Sequence, residues 1–334
     1  MLPGVEPFLY RRWGRMVRRA PRLTIEEHVE QVGLGDIEQP LPCPLCGCRT
    51  IRPLMDPERP GRWIYHVVSC DACGFLYRHP GIRPERLGEL YAGKYGAFLT
   101  GRYAAKRRAR YVQALDRFSP LFDDGRGRRL LDFGCGAGLF LELAHERGFE
   151  GYGVDLSPDA VERAHRKESG KRTYVGRPED VPEIAAGGFD VVTMWSVMAH
   201  LATPVEDLTT LRGLLKPDGV LLILTVNAES LLLKLDRGSW GGFTPNHLMF
   251  YSPDTLRELL RQAGFGATVV RSLHGHDVEA GHVGMPPIVR RRLASVTRRR
   301  SGEQANMLDA VAFADPEGPA RQERAAGTLL ASGV

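Results

Sequence analysis

Leu130-Leu-Asp-Phe-Gly-Cys-Gly-Ala-Gly-Leu-Phe-Leu141 decides the fold of this chain. A short apolar run closes on an acid, glycines follow at alternate positions, and an apolar helix begins. Glycines let a strand-to-helix turn be tight and let a ligand approach bare backbone. A second apolar run, Tyr152-Gly-Val154, ends in Asp155 about 20 residues further on, where a ribose-binding carboxylate belongs. The pattern is DxGxGxG, with Asp132 ahead of Gly134, Gly136 and Gly138. It differs from the GxGxxG that seats a pyrophosphate on a helix N-terminus. A nucleotide-binding or purely structural turn is the alternative at this point.

Strands and helices alternate around that turn. Strands are expected at Arg129–Phe133, Gly151–Val154, Thr173–Val175, Asp190–Trp195, Val220–Thr225 and Ala267–Arg271. Helices are expected at Leu139–Arg147, ended by Gly148, and at Val205–Leu214. Two more open on Ser157-Pro158 and Ser252-Pro253, with Ser as N-cap and Pro at the first helical position. Lys216-Pro-Asp-Gly219 is a turn into the fifth strand. Such alternation implies a mostly parallel sheet covered by helices on both faces.

The cysteines carry a second signal. Cys43-Pro-Leu-Cys46 and Cys70-Asp-Ala-Cys73 are two CxxC pairs, each followed by glycine. This spacing suits a tetrahedral four-thiolate zinc ribbon, and closed coordination makes the metal structural, not catalytic. Free or disulfide-bonded cysteines are the alternative. Cys48 and His79 lie close enough to replace a ligand, while Cys135 reads as a small packing residue in the glycine turn.

Composition frames these motifs. The 334 residues are 43% hydrophobic and 25% charged, with a formal net charge of +5, which is the profile of a globular protein. No apolar run is long enough to span a bilayer, and Met1 to Pro21 lacks the apolar core of a secretion signal. A cytoplasmic location is therefore the expectation. Arginines cluster at Arg11, Arg12, Arg15, Arg18 and Arg19, then at Arg290–Arg292 and Arg298–Arg300. Such clusters can contact phosphates, but solvated helix faces or tails are the simpler reading, so nucleic acid is not the expected partner.

Taken together, the motifs resemble those of the class I S-adenosylmethionine-dependent methyltransferases that carry an N-terminal zinc ribbon. The resemblance runs from about Cys43 to Phe265. It rests on the cysteine pairs, Phe75-Leu-Tyr-Arg-His-Pro80, Leu90-Tyr91 and Lys94-Tyr95. It continues through Gly134-Cys-Gly136, Val154-Asp155, Phe189-Asp-Val-Val192 and Leu214-Leu-Lys-Pro-Asp-Gly219, and ends with His247-Leu, Phe250-Tyr-Ser252 and Ala263-Gly-Phe265. It implies an α/β fold: a Rossmann-like, mostly parallel seven-stranded sheet with an N-terminal zinc ribbon and a helical cap. Met307–Phe313 is then the last strand, placed antiparallel. The expected organisation is an extension at 1–40, the zinc-ribbon module at 41–80, and a helical cap and linker at 81–125. The methyltransferase domain follows at 126–314, with an insertion at 273–303 bearing His274, His276 and His282, and then a flexible tail at 315–334.

The resemblance also assigns roles. S-adenosyl-L-methionine is the implied cofactor, beside a structural Zn2+ on Cys43, Cys46, Cys70 and Cys73. Asp132 and the backbone at Gly134 and Gly136 should hold its methionine end, Asp155 both ribose hydroxyls, and Leu156 the adenine face. Glu179, with Asp180, falls near where the family recognises the adenine amine. Arg177 departs from the acid found there in many relatives. Trp195 should face the methionine portion, or pack in the core. Val197-Met-Ala-His-Leu201 resembles a segment that usually reads Glu-His, so His200 matches the histidine and Ala199 replaces the acid. His247 matches a second position near the acceptor. Methyl transfer is an in-line displacement that needs the acceptor held about 3 Å from the sulfonium carbon. For a hydroxyl acceptor a histidine suits the departing proton, so His200 or His247 is the candidate general base. Tyr91, Tyr95 and Arg102 are candidates to close the pocket. A small-molecule methyl acceptor, a phenol, sugar or other natural-product intermediate, is the expected partner, with O-methylation first. The alternatives are an rRNA or tRNA methyltransferase whose ribbon binds RNA, and a non-enzymatic scaffold.

Overall fold

The computed structural model describes residues 21–54, 67–91, 101–122, 125–230, 233, 243–244, 246–273 and 307–314. Tyr95, the arginine clusters, the insertion histidines and the tail lie outside the described residues, as does the side chain of Arg102.

The N-terminal part is a small antiparallel sheet. Its strands are β1 (Leu23–Thr24), which precedes the helix Ile25–Val32, β3 (Thr50–Pro53), β4 (Val67–Cys70) and β5 (Leu76–Arg78), while β2 (Glu38–Gln39) and β6 (Gly81–Ile82) pair with each other as a separate two-stranded ribbon. Thr24 and Glu27 form a capping box that starts the helix where the apolar positions Ile25 and Val32 predict one. A 3₁₀ turn, Pro84–Leu90, leads out of β6 and ends on Tyr91. The helix Gly101–Phe118 then packs against the first core helix.

The core strands are β7 (Arg129–Phe133), β8 (Glu150–Asp155), β9 (Thr173–Val175), β10 (Phe189–Trp195) and β11 (Leu215–Val226). After them come β12 (Met249–Phe250), β13 (Thr268–Leu273) and β14 (Met307–Phe313). Seven of these form one sheet in the order β13-β14-β11-β10-β7-β8-β9. Only β14 runs against its neighbours, as the family resemblance implies. The inner strands carry the runs of a sheet buried on both faces: Val191 to Trp195, apolar but for Thr193, and Val220 to Leu224 are all buried. The Lys216-Pro-Asp-Gly219 turn is absorbed as a register break, since Phe189 pairs with Leu215 but Val191 with Val220. Chain order reverses between β7 and β10, so the crevice at their carboxyl ends is the expected ligand position in an open α/β sheet.

The five-stranded sheet of the N-terminal part has the order β1-β3-β4-β5-β12. Its last strand comes from the core: Met249 pairs with Tyr77 and Phe250 with Leu76. The cysteine module and the loop after β11 therefore share one sheet. That junction is not predicted by the sequence.

Candidate functional site

Asp132 is the penultimate residue of β7, fully buried, and its Oδ1 accepts from the Thr193 hydroxyl on adjacent β10 at 2.7 Å. Burial pushes its carboxyl up to about 7 against that bond, and the charge of Asp155 adds to the rise. Asp155 ends β8. Its Oδ2 accepts from the Gly136 N–H at 2.8 Å and its Oδ1 from the Ser157 N–H at 2.9 Å. Burial raises this carboxyl too, opposed by the two N–H groups. Two mutually repelling carboxylates at the mouths of neighbouring strands favour a cationic occupant.

The glycine turn fits closely between them. Gly134 has φ of +75° and an added Cβ would stand 2.5 Å from Val197 Cγ2, so both conformation and space require glycine. Gly136 also lies in the left-handed region, with φ of +55°. Leu156 is half-buried beside Asp155. These features suit a sulfonium nucleoside: backbone bare of side chains, a buried acid on one side and a second acid with lone pairs to spare on the other.

Two residues are placed differently from a simple cofactor contact. Glu179 is exposed and its Oε1 accepts from Arg177 Nε at 2.7 Å, while the same guanidinium also bonds Asp207. Arg177 thus engages the acids around it and holds the Glu179 carboxylate. Trp195 is 6% exposed and packs on Phe140 and Tyr111, with ring centroids 5.0 and 5.8 Å away. Its indole Nε1 is buried without a hydrogen-bond partner among the described residues.

The two candidate histidines are in contact. Their ring centroids are 4.7 Å apart, edge to face. His200 closes the short turn Met198–His200 that follows β10, and Nδ1 lies 2.9 Å from the Asn246 carbonyl and 3.0 Å from the Tyr91 hydroxyl. Desolvation, then His247, pushes the imidazolium of His200 down to about 3, so the ring is neutral. Burial and the charge of Asp155 hold the Tyr91 phenol protonated. Tyr91 is thereby in electrostatic reach of Asp155 and in contact with His200.

Sequence reasoning did not mark two neighbours. Ser196, between Trp195 and Val197, has φ of +62°, the one non-glycine residue in the left-handed region among the described residues. Nothing in its residue type signals this. The Asn246 carbonyl is a backbone group, invisible to any motif.

The four cysteines converge. Sγ of Cys43 is 3.6 Å from that of Cys73, Sγ of Cys46 is 3.5 Å from that of Cys70, and all four lie within 4.8 Å of one another. A zinc–sulfur distance of about 2.3 Å in a tetrahedron gives sulfur–sulfur edges of about 3.8 Å, so the donor set fits. Each pair turns on its glycine, with Gly47 N donating to Cys43 O and Gly74 N to Cys70 O. Cys48 and His79 stand apart from this set. The Cys48 thiol bonds the backbone of Thr50, and His79 Nδ1 lies 2.8 Å from His28 Nδ1 in the core. Among the described residues no helix is long and apolar enough to cross a membrane.

A family model described as a methyltransferase domain matches residues 103–269, half of the chain. A ubiquinone biosynthesis O-methyltransferase from Cereibacter sphaeroides is 36% identical over 155 residues, which cover 42% of this chain and 60% of that one. Another with that name, from Acinetobacter baumannii, is 30% identical over 165 residues, covering 44% and 68%. The chain thus spans about 60% of the length of the first of these relatives. A solved S-adenosylmethionine-dependent methyltransferase from Archaeoglobus fulgidus aligns at 23% identity with a TM-score of 0.46, covering 62% of this chain and 94% of that one. With the glycine turn, the reversed sheet and the matched span in agreement, the chain belongs to the methyltransferase-domain family of S-adenosylmethionine-dependent enzymes.

Proposed function

We propose that this chain methylates a hydroxyl of a small molecule, with S-adenosyl-L-methionine held at Asp132, Gly134, Gly136, Asp155 and Leu156. When bound, that group supplies an electrophilic methyl on a sulfonium. One observation carries the reading: His200 and His247 stand edge to face, and Tyr91, which contacts His200, lies within the field of Asp155. The buried Asp132 attracts the ammonium of the methionine end, directly or through water. Asp155 stays fixed by Gly136 and Ser157 and still has lone pairs for ribose hydroxyls. Trp195 packs on Phe140 and Tyr111, and its unpaired Nε1 is available to a ligand or an ordered water.

On the acceptor side a neutral imidazole takes the hydroxyl proton as the oxygen attacks, and His200 or His247 does this. The names of the relatives support oxygen as the acceptor atom and a small molecule as its carrier. The four cysteines hold a structural Zn2+, supported by the fit of their sulfur spacing. Transfer of a radiolabelled methyl group tests the reading, with phenols, sugars and RNA offered in parallel. Label in a phenol or sugar, lost in His200→Ala, is the expected outcome. Label in RNA alone contradicts it.

A further inference from the structure

The groups that hold His200 come from outside its own strand and both arrive through the cysteine module. Tyr91 ends the 3₁₀ turn that leaves β6 directly. Asn246 lies in the loop that runs into β12, the fifth strand of the ribbon sheet. That loop is stitched on both sides. Arg78 N donates to Leu248 O at 2.7 Å, and Leu248 N donates to Ala199 O, next to His200, at 2.6 Å. The Tyr251 hydroxyl donates to Met198 O at 3.0 Å, while its ring meets Phe75 of the ribbon, centroids 5.6 Å apart. Gln262 Nε2 adds a bond to Leu45 O inside the first cysteine knuckle.

The chemistry of the contact fixes the proton. A backbone carbonyl only accepts, so His200 Nδ1, 2.9 Å from Asn246 O, must carry the hydrogen. Tyr91 Oη, 3.0 Å from the same nitrogen, then accepts a share of that N–H. The lone pair is left on Nε2, for which the described residues provide no partner.

We propose that the ribbon is the positioning element of the acceptor side: Tyr91 and the Asn246 carbonyl lock His200 in the Nδ1–H form, the cysteine-held sheet anchors the Asn246 loop through β12, and the chain that leaves that sheet at β5 carries Tyr91 by way of the β2–β6 pair. This rests on the reading of His200 as an acceptor-side base. Tyr91 and Asn246 are positioning residues in this arrangement. The ribbon therefore serves the active site of its own chain, and no docking partner is required to explain it.

Long-range proton–nitrogen NMR of the full chain, labelled at histidine and loaded with zinc, tests the proposal. His200 is assigned by the loss of its signals in His200→Gln. The expected spectrum shows Nδ1 protonated and Nε2 bare. Chelation of the zinc, or Tyr91→Phe in the loaded protein, should bring exchange between the two neutral forms. S-adenosylmethionine affinity of the loaded Met249→Pro variant, measured by calorimetry, should stay within about twofold, because the glycine turn belongs to the seven-stranded sheet. If chelation unfolds the chain, loaded Tyr91→Phe and Met249→Pro, which breaks the β5–β12 pairing, decide the matter. An Nε2–H form in the loaded wild type overturns the proposal. So do His200 signals that none of these perturbations moves. Failure of the base assignment itself appears separately, as undiminished methyl transfer in His200→Gln.

Discussion

The backbone N–H of Gly136 donates to Asp155 Oδ2 over 2.8 Å, tying the glycine turn to the end of the next strand. Asp155 Oδ1 takes a second N–H, from Ser157. Both oxygens are therefore needed as acceptors. Asp155→Asn places an amide N–H2 against one of the two donors, and the loss of a charged hydrogen bond costs about 1.5–3 kcal/mol. S-adenosylmethionine affinity should fall about 10- to 100-fold by calorimetry. An affinity unchanged within twofold would remove Asp155 from the site.

Gly134 tests the fit of the turn itself. Gly134→Ala forces a side chain into a φ of +75° and sets its Cβ 2.5 Å from Val197 Cγ2. The combined strain and overlap should cost about 2–4 kcal/mol in thermal unfolding. Adding Val197→Ala removes the overlap but not the strain, so the double variant should recover part of the loss. Full recovery, or none, would contradict this division.

Asp132 predicts a pH dependence. Its carboxyl is raised from 3.8 in the unfolded chain to about 7 in the fold, chiefly by burial. The folded state therefore holds a proton that the unfolded state has lost between those values. The stabilisation is fully present below pH 3.8 and declines as pH rises toward 7. Asp132→Asn cannot ionise, so ligand-free variant protein should gain stability relative to wild type as pH rises across that interval. The same variant should bind S-adenosylmethionine more weakly. Parallel stability curves for variant and wild type would show that Asp132 is ionised throughout.

The histidines separate binding from chemistry. His200→Gln keeps a polar side chain but removes the base, so turnover should fall at least about 100-fold while cofactor affinity holds. Single-turnover methyl transfer alongside calorimetry distinguishes the two effects. Equal losses in both would make His200 part of the cofactor site.

Metal content tests the ribbon. One zinc per chain is expected by elemental analysis, and Cys70→Ser should lose it. Breaking a closed four-thiolate site should cost at least about 3 kcal/mol, a melting decrease on the order of 10 °C. Zinc-free wild type with an unchanged melting point would refute a structural metal.

Much of this arrangement is legible in the sequence because its signals are local. Arg129–Phe133 and Thr173–Val175 fall where the apolar runs and glycine punctuation put them, and Ser157 caps its helix as its neighbour Pro158 predicts. Met307–Phe313 pairs antiparallel with β11, an assignment that the family resemblance supplied. What escapes the sequence depends on distant partners or on backbone. Met249 and Phe250 become a strand only because Leu76 and Tyr77 lie beside them, and a two-residue strand has no periodicity to read. Lys216 to Gly219 reads as a turn, yet the flanking β10–β11 pairing carries it as a break in register. Ser196 is forced to a positive φ by the exit from β10, where its N–H bonds Leu224 O. Glu179 sits where the resemblance puts an adenine contact; Arg177 is visible beside it in the sequence, but that its guanidinium bonds both Glu179 and the distant Asp207 only the folded chain reveals.

The central claim is that the crevice between Asp132 and Asp155 holds a sulfonium nucleoside, and one calorimetric titration measures it. S-adenosylmethionine should saturate the wild-type chain at one equivalent, and a nicotinamide dinucleotide should neither bind nor compete. Absence of saturable heat with the sulfonium nucleoside, or its displacement by the dinucleotide, would contradict the account.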